Sequence, residues 1–522
     1  MASTLPTVTP EPSIYNFIRS HLGDSGRLDD SALALPDDVK VVRPSGLRWV
    51  AGGLDGAMGH HGGSGDSDAR AAEAAGLFAA AAKRPSKRRL KKLYAAVSDD
   101  SALQYVDGLI DHVRSFGPDI GRIHELGRWL ATTGSDRGAV KIGIALLGVT
   151  GLGPDLVVVR TLGAHEEFTL YAAVAISNGM PNSERHLWEL AKSVDGWGRI
   201  GCVERLSRTT DPEIRDWILR TGYRNSIMTE YLAYIAATTG GLVAALRGAD
   251  VDRELLSAAG EILSALDAGG PAQDMDDYEQ GAEAVAAFMD LMVERAETLD
   301  DFHAVSDVNE LLTRDADWKA RVERGWTPEL RERLLAQCDR VLASRDWRTL
   351  VAAGLESTDQ ATFLVADRAA HRLGIDTFEL HFERVRAAPL GTDWAQAWNQ
   401  ADDARARRLT TLARQQLPLD QIASGPADEL GTGPEWRAHS ALDWTLQALR
   451  EHPGLGGDLL LVGLASPVTR NRNMALRALK EWAADTWPEG AREAIANLAR
   501  NDPNDKAREF ARETQDASAD HQ

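Results

Sequence analysis

The sequence predicts an all-α fold, an α-α superhelix of stacked helical hairpins that repeats about every 30 residues. Three observations predict it. The first is composition: 43% of the 522 residues are hydrophobic and 26% charged, with Ala, Leu and Arg abundant and β-branched runs few, a balance that favours helix. The second is a fixed internal period. KIGIALLGVTG (141–151), LYAAVAISNG (170–179), RIGCVERLSRT (199–209), EYLAYIAATTG (230–240) and EILSALDAGG (261–270) align on Leu147, Ile176, Leu206, Ala236 and Leu266, at spacings of 29, 30, 30 and 30. Each step has room for one helical hairpin. The third is the return of that period near the C-terminus, where LDWTLQALREH, NMALRALKEWA and DKAREFARET align on Leu449, Leu479 and Phe510, spaced 30 and 31.

Residues 1–66 read as an irregular N-terminal segment. Its opening, MASTLPTVTPEPS, lacks the charged stretch followed by an apolar stretch that marks a secretory signal. At 51–63 it carries AGGLDGAMGHHGG, with six glycines in thirteen positions. Asp55, His60 and His61, with Asp66 nearby, are metal-competent types, but adjacent histidines on a loop need further ligands held elsewhere, so no metal is assigned. Leu54 and Met58 are apolar handles that a flexible linker does not need. The stretch is therefore expected to be an ordered loop whose glycines let its backbone approach a neighbouring surface.

A first array follows over 67–270. It starts with a helix at 68–82 and the basic run KRPSKRRLKKL, where Lys83, Arg84, Lys87, Arg88, Arg89, Lys91 and Lys92 include four of the ten lysines in the chain. Lys83 and Arg84 suit the negative end of the preceding helix, and Ser86 suits the cap of the next. So dense a cluster also suits an acidic or phosphate-rich partner, or pairing with acidic residues of the same chain. The apolar stretch 142–159 is broken by Gly-Pro-Asp and reads as two short buried helices rather than a membrane span. Residues 271–281 read as an acidic loop or joint, 282–433 as looser helical repeats, 434–515 as a second array and 516–522 as a disordered tail.

Several motifs narrow the chemistry. HELGR (124–128) and HEEFT (165–169) open like the zinc-protease motif but lack its second histidine. DMDDYEQG (274–281) opens like a calcium loop, with Glu279 where the turn glycine belongs. All three read as solvated charges. Helix starts explain most of the five Asp-Trp pairs, ending at Trp217, Trp318, Trp347, Trp394 and Trp444, with Asp in the first turn and Trp as a large buried wedge between repeats. Cys202 and Cys338 have no CxxC partner, which excludes a disulfide framework and a cysteine zinc site and suggests the reducing cytoplasm. The net charge of −20 argues against wrapping nucleic acid. The densest polar cluster is at two loop-to-helix junctions one repeat apart. GPADELGTGPEWRAHSALDW supplies Asp428, Glu429, Arg437, His439 and Asp443; SPVTRNRNMA supplies Arg470, Asn471, Arg472 and Asn473. Equivalent positions of adjacent repeats lie side by side, so these nine residues are candidates for binding a ligand or partner, or for a ladder that joins neighbouring repeats.

RNRNMALRALKEW, following SPVT, resembles the second half of a HEAT repeat, and DPEIRDWILR (211–220) resembles a degenerate helix start of the same class. The resemblance covers about residues 120–515 and implies a right-handed solenoid. GIDTFELHFERVRAAPLG (374–391) and the two C-terminal junctions are also similar to a family of bacterial HEAT-like proteins of unassigned role, some of them labelled limonene hydroxylase. A haem monooxygenase requires a cysteine in a Gly-rich ligand loop, whereas both cysteines here fall in amphipathic helical stretches; no GxGxxG follows a strand, and no cofactor is expected. The resulting expectation is an intracellular scaffold or adaptor that binds a protein partner, a basic one suiting its charge, through an extended curved surface. The alternatives are an enzyme or small-ligand protein with its site at 428–443 and 470–473, and a nucleic-acid-binding or DNA-repair protein of HEAT-like form.

Overall fold

The structure, a computed structural model, describes residues 5, 6, 8, 9, 12–40, 51–53, 55, 56, 68–115, 119–314 and 318–520. Among these the chain is all-helical, with 29 helices and no strand. No helix among the described residues is long and apolar enough to cross a membrane. The chain divides into two compact units at Trp347 and Arg348.

Unit 1 begins with α1 (Ile14–Ser20), α2 (Asp68–Lys83), α3 (Lys87–Val97), α4 (Val106–Ser115) and α5 (Ile120–Thr133). It continues through α6 (Arg137–Thr150), α7 (Leu156–Gly163), α8 (Glu166–Gly179), α9 (Ser183–Ser193), α10 (Trp197–Arg205), α11 (Pro212–Trp217), α12 (Glu230–Thr238) and α13 (Leu242–Leu246). It closes with α14 (Arg253–Ala268), α15 (Gly281–Arg295), α16 (Leu299–Thr313), α17 (Trp318–Glu323) and α18 (Pro328–Ala343). Local chemistry sets the boundaries. Asp252 accepts from Leu255 N to cap α14, Asp211 caps α11 ahead of Pro212, and Thr298 with Asp301 forms a capping box on α16. Between α6 and α7, Gly151 at φ +97° and the turn Gly153–Asp155 divide the apolar stretch into two helices.

Packing in unit 1 follows chain order. α5 packs on α6, and then each even-numbered helix packs on the next, α6 on α8 and onward through α10, α12, α14 and α16 to α18. Odd-numbered helices flank this row, as α7 does on α8 and α9 on α10. Leu147, Ile176, Leu206, Ala236 and Leu266 are all buried on or at the end of α6, α8, α10, α12 and α14. The 30-residue period is thus the distance from one helix of the row to the next. Each anchor's burial stabilises the row by up to about 2 kcal/mol. The acidic loop 271–281 lies inside unit 1, where Met275 N donates to Leu266 O and Arg321 on α17 donates to both oxygens of Asp276. Asp276 is therefore a paired group, not a merely solvated one.

Unit 2 comprises α19 (Trp347–Leu355), α20 (Gln360–Arg372), α21 (Phe378–Ala387), α22 (Trp394–Asn399), α23 (Asp403–Gln416), α24 (Leu419–Ile422), α25 (Arg437–Ala448), α26 (Gly457–Leu464), α27 (Thr469–Glu481), α28 (Ala491–Asn501) and α29 (Asp505–Asp520). Its core gathers Trp394, Leu409, Leu446, Leu460 and Leu476. α25 packs on α27 and α27 on α29, which carry or adjoin the anchors Leu449, Leu479 and Phe510. Of the tail expected at 516–522, residues 516–520 are instead helical, because α29 continues through Asp520, past the buried Thr514.

Candidate functional site

Most of the C-terminal junction is bonded within the chain. Glu429 N donates to Pro467 O and Thr469 N donates to Glu429 O, while Asp428 Oδ1 accepts from Asn504 Nδ2 at 2.8 Å. Arg472 has no exposed surface: its guanidinium donates to both oxygens of Asp502 at 2.7 and 2.8 Å and to the carbonyls of Ala427, Ser466 and Pro467. Asn471 Nδ2 donates to His439 O at 2.9 Å, and Arg470 meets buried Asp443 at 2.5 Å. Burial raises the Asp443 carboxyl, and Arg470 and Asn471 offset this only in part. His439 lies edge-on to Trp436, its ring nitrogens buried without a protein partner among the described residues, and burial lowers its pKa. Arg437 is exposed, and Asn473 is half-buried. Asp443, Arg470, Asn471 and His439 therefore come together, whereas Arg472, the strongest donor of the nine, is spent on the chain itself.

A second polar centre lies in unit 1, where His165 and Glu167 of HEEFT, read as solvated charges, are instead buried. Arg137 and Lys141 sit one turn apart on α6 in an otherwise apolar helix. Lys141, 1% exposed, meets Asp55 at 2.7 Å, Asp100 at 2.7 Å and Glu167 at 2.5 Å. Arg137 donates to both oxygens of Asp37 and also to Asp38. Burial opposes the charge on Lys141, but Glu167 and Asp55 overcome it and hold the ammonium protonated well above its usual range. Burial likewise works against the Glu167 anion, and Lys141 with Arg137 reverses that and keeps its carboxyl below the usual range. At Asp55 burial prevails and the pKa rises despite Lys141. His165, 2% exposed, is pushed down by burial. Glu166, in the same HEEFT segment, accepts from the backbone N–H groups of Asp195, Gly196 and Gly198 at 2.6–2.7 Å and so caps the start of α10. In HELGR, His124 and Arg128 both reach buried Asp155. Isolated motif matching missed these groups; the signal available was a pair of cations at helical spacing within an apolar repeat.

The Gly loop reaches this centre. Gly52 N donates to Glu167 Oε2 at 3.2 Å, and a Cβ on Gly56 would stand 2.5 Å from the Trp197 ring. Gly52 and Gly56 therefore permit close backbone approach, and Asp55 between them is 5% exposed. His60, His61, Leu54, Met58 and Asp66 lie outside the described residues. Asp55, Glu166, Trp197 and Arg205 line a cavity of about 200 Å³. Chemically, a protonated Lys141 cannot act as an amine nucleophile, and Asp55, whose carboxyl is pushed up by burial, faces both that ammonium and the cavity. No cluster among the described residues has the composition of a metal site.

The basic run is exposed throughout: Lys83, Arg84, Lys87, Arg88, Arg89, Lys91 and Lys92 form no ion pair among the described residues. Pairing with acidic groups of the same chain is thus not observed there. Ser86 caps α3, and Arg89 Nη1 donates to the carbonyls of Ala80 and Arg84 at the end of α2. Of the Asp-Trp pairs, Trp347 and Trp394 start helices, as does Trp318, whose Asp317 lies outside the described residues. The pair at Trp217 ends α11, and the pair at Trp444 lies within α25 with its Trp 36% exposed, so neither is a helix start. Both cysteines are free and buried in helices, where burial pushes each thiol up to about 12. Comparison with models of protein families, with curated proteins and with solved structures found no significant match.

Proposed function

We propose that the chain is a HEAT-like, right-handed solenoid of helical hairpins that serves inside the cell as a non-catalytic scaffold or adaptor for a protein partner. The packing of α6, α8, α10, α12 and α14 in steps of about 30 residues supports the architecture. One observation carries the functional part: residues able to do chemistry, above all Arg472 and Lys141, are saturated by bonds within the chain, whereas much of the charge left over is exposed on helix surfaces. Affinity capture from native lysate, using wild type and Arg470→Ala, tests the reading by mass spectrometry of bound proteins and small molecules. Arg470 is the better position because its side chain is 59% exposed and Asp443 keeps its contact with Asn471 when it is removed, whereas truncating fully buried Arg472 would strand Asp502. A stoichiometric protein partner is expected. A tightly held small molecule with no protein would overturn the adaptor reading.

A second reading, a small-ligand protein, is favoured by Asp55, whose buried carboxyl lines the cavity beside Trp197. Native mass spectrometry of the purified chain, with and without Asp55→Asn, distinguishes the two. A bound small molecule lost in the variant would favour this reading.

A further inference from the structure

We infer that the ridge formed by the end of α2 and by α3 docks a short acidic segment of a protein partner. The inference rests on the adaptor reading and names the chemistry of one of its contacts. Seven cationic side chains occur within ten positions, all exposed and none paired with a carboxylate among the described residues. In a chain of net charge −20, the residues outside this run carry 27 net negative charges, so the ridge is a local inversion of the molecule's field. It differs from the basic partner that the overall charge suggests. Arg89 is held against the end of α2 by its bonds to Ala80 O and Arg84 O, which leaves part of its guanidinium fork available at a set position.

The same geometry selects among polyanions. Leu90, Leu93 and Val97 are fully buried, so the apolar stripe of α3 is used for folding and no large apolar side chain remains on its outer face to enter a lipid surface. Tyr94, the one aromatic residue of α3, donates to Asp136 and is half-buried, so the outer face offers no stacking platform for bases. Nucleic acid would have phosphate contacts alone, and a long strand would run beyond the ridge into the repulsive field of the remaining chain. The eleven residues of α3 span about 16 Å, the length of roughly five residues of extended peptide. A short run of Asp and Glu therefore fits the ridge in both charge and reach.

The test uses the full chain and a fluorescein-labelled octaglutamate peptide, with an eight-nucleotide single-stranded DNA and phosphatidylserine-containing vesicles as competing probes. Binding is read by anisotropy, or by sedimentation for vesicles, from 20 to 150 mM salt. The ridge variant is Lys87→Glu/Arg88→Glu/Lys91→Glu/Lys92→Glu. A control reverses four exposed arginines elsewhere, Arg208, Arg340, Arg477 and Arg500, for the same change in net charge. The expected result is peptide binding that weakens with salt but persists at 150 mM, falls at least tenfold in the ridge variant, and falls less than threefold in the control. Equal losses in both variants, absence of peptide binding, or tighter binding to DNA or vesicles would overturn the inference. Circular dichroism confirms that each variant is folded. Lysate capture separates this result from the adaptor reading: a partner retained equally by the ridge variant removes the ridge alone, and no partner with wild type removes the adaptor reading itself.

Discussion

Lys141 and His381 show how burial and pairing together set what a single side chain does. Replacing Lys141 by Met leaves Asp55 and Glu167 facing each other without their cation, and removing one member of a buried ionic group costs about 3–5 kcal/mol. Urea denaturation of Lys141→Met is expected to show a loss of this size, partly recovered in Lys141→Met/Asp55→Asn; a loss below about 1 kcal/mol would mean that the centre is not held by this pairing. His381 is 1% exposed, with Nε2 2.8 Å from Asp367 and Nδ1 3.1 Å from Asp393. Burial alone would lower its pKa, but the two carboxylates raise it from 6.5 to about 9. The folded state therefore holds this proton more tightly than the unfolded chain does. The resulting stability, at most about 3 kcal/mol, is fully present below pH 6.5 and lost as pH rises through 9. Denaturation midpoints at pH 6 and pH 9.5 should differ in wild type, and this component of the difference should vanish in His381→Gln. None of these pairings follows from residue type alone, since Asp55 and Lys141 are 86 positions apart.

Helices are specified locally, while loops take their structure from what they touch. Ser86, Asp211, Asp252 and Thr298 cap helices through neighbours within three positions, so the sequence around each helix start is enough to place it. The Asp-Trp pairs mark the limit of this reading: Asp443 precedes a Trp as Asp393 does, but Asp393 is an N-cap and Asp443 is buried within α25, because only the fold supplies Arg470. Gly52 and Gly56 are the loop counterpart, with backbone that comes to rest against Glu166, Glu167 and Trp197. A Val at Gly56 would place its Cβ inside contact distance of the indole, and such overpacking costs about 1–3 kcal/mol. Gly56→Val is expected to accelerate hydrogen exchange at 51–56 and at the start of α10. Unchanged exchange there would mean that the loop does not depend on this approach.

Across the molecule, packing between near neighbours in sequence makes stability a local property within each unit. Leu479→Ala, at a fully buried anchor of α27, is expected to cost about 2–5 kcal/mol and to raise hydrogen exchange in α25 through α29 while leaving α6 through α14 unchanged. Uniform acceleration throughout the chain would show instead that it unfolds as one block. The all-helical character, the period of the helix row from α6 to α14 and the break at Gly151–Asp155 are legible in the residue string, as is the presence, though not the exposure, of the basic run. Those features depend on composition, helical spacing and local turns, which involve residues close in the chain. The folded arrangement alone shows that His165 and Glu167 of HEEFT are buried rather than solvated and that Arg472 is spent on Asp502. The reason is physical: a charged side chain has the same sequence signature in water and in a buried pair, and its environment is set by partners brought close only by the fold.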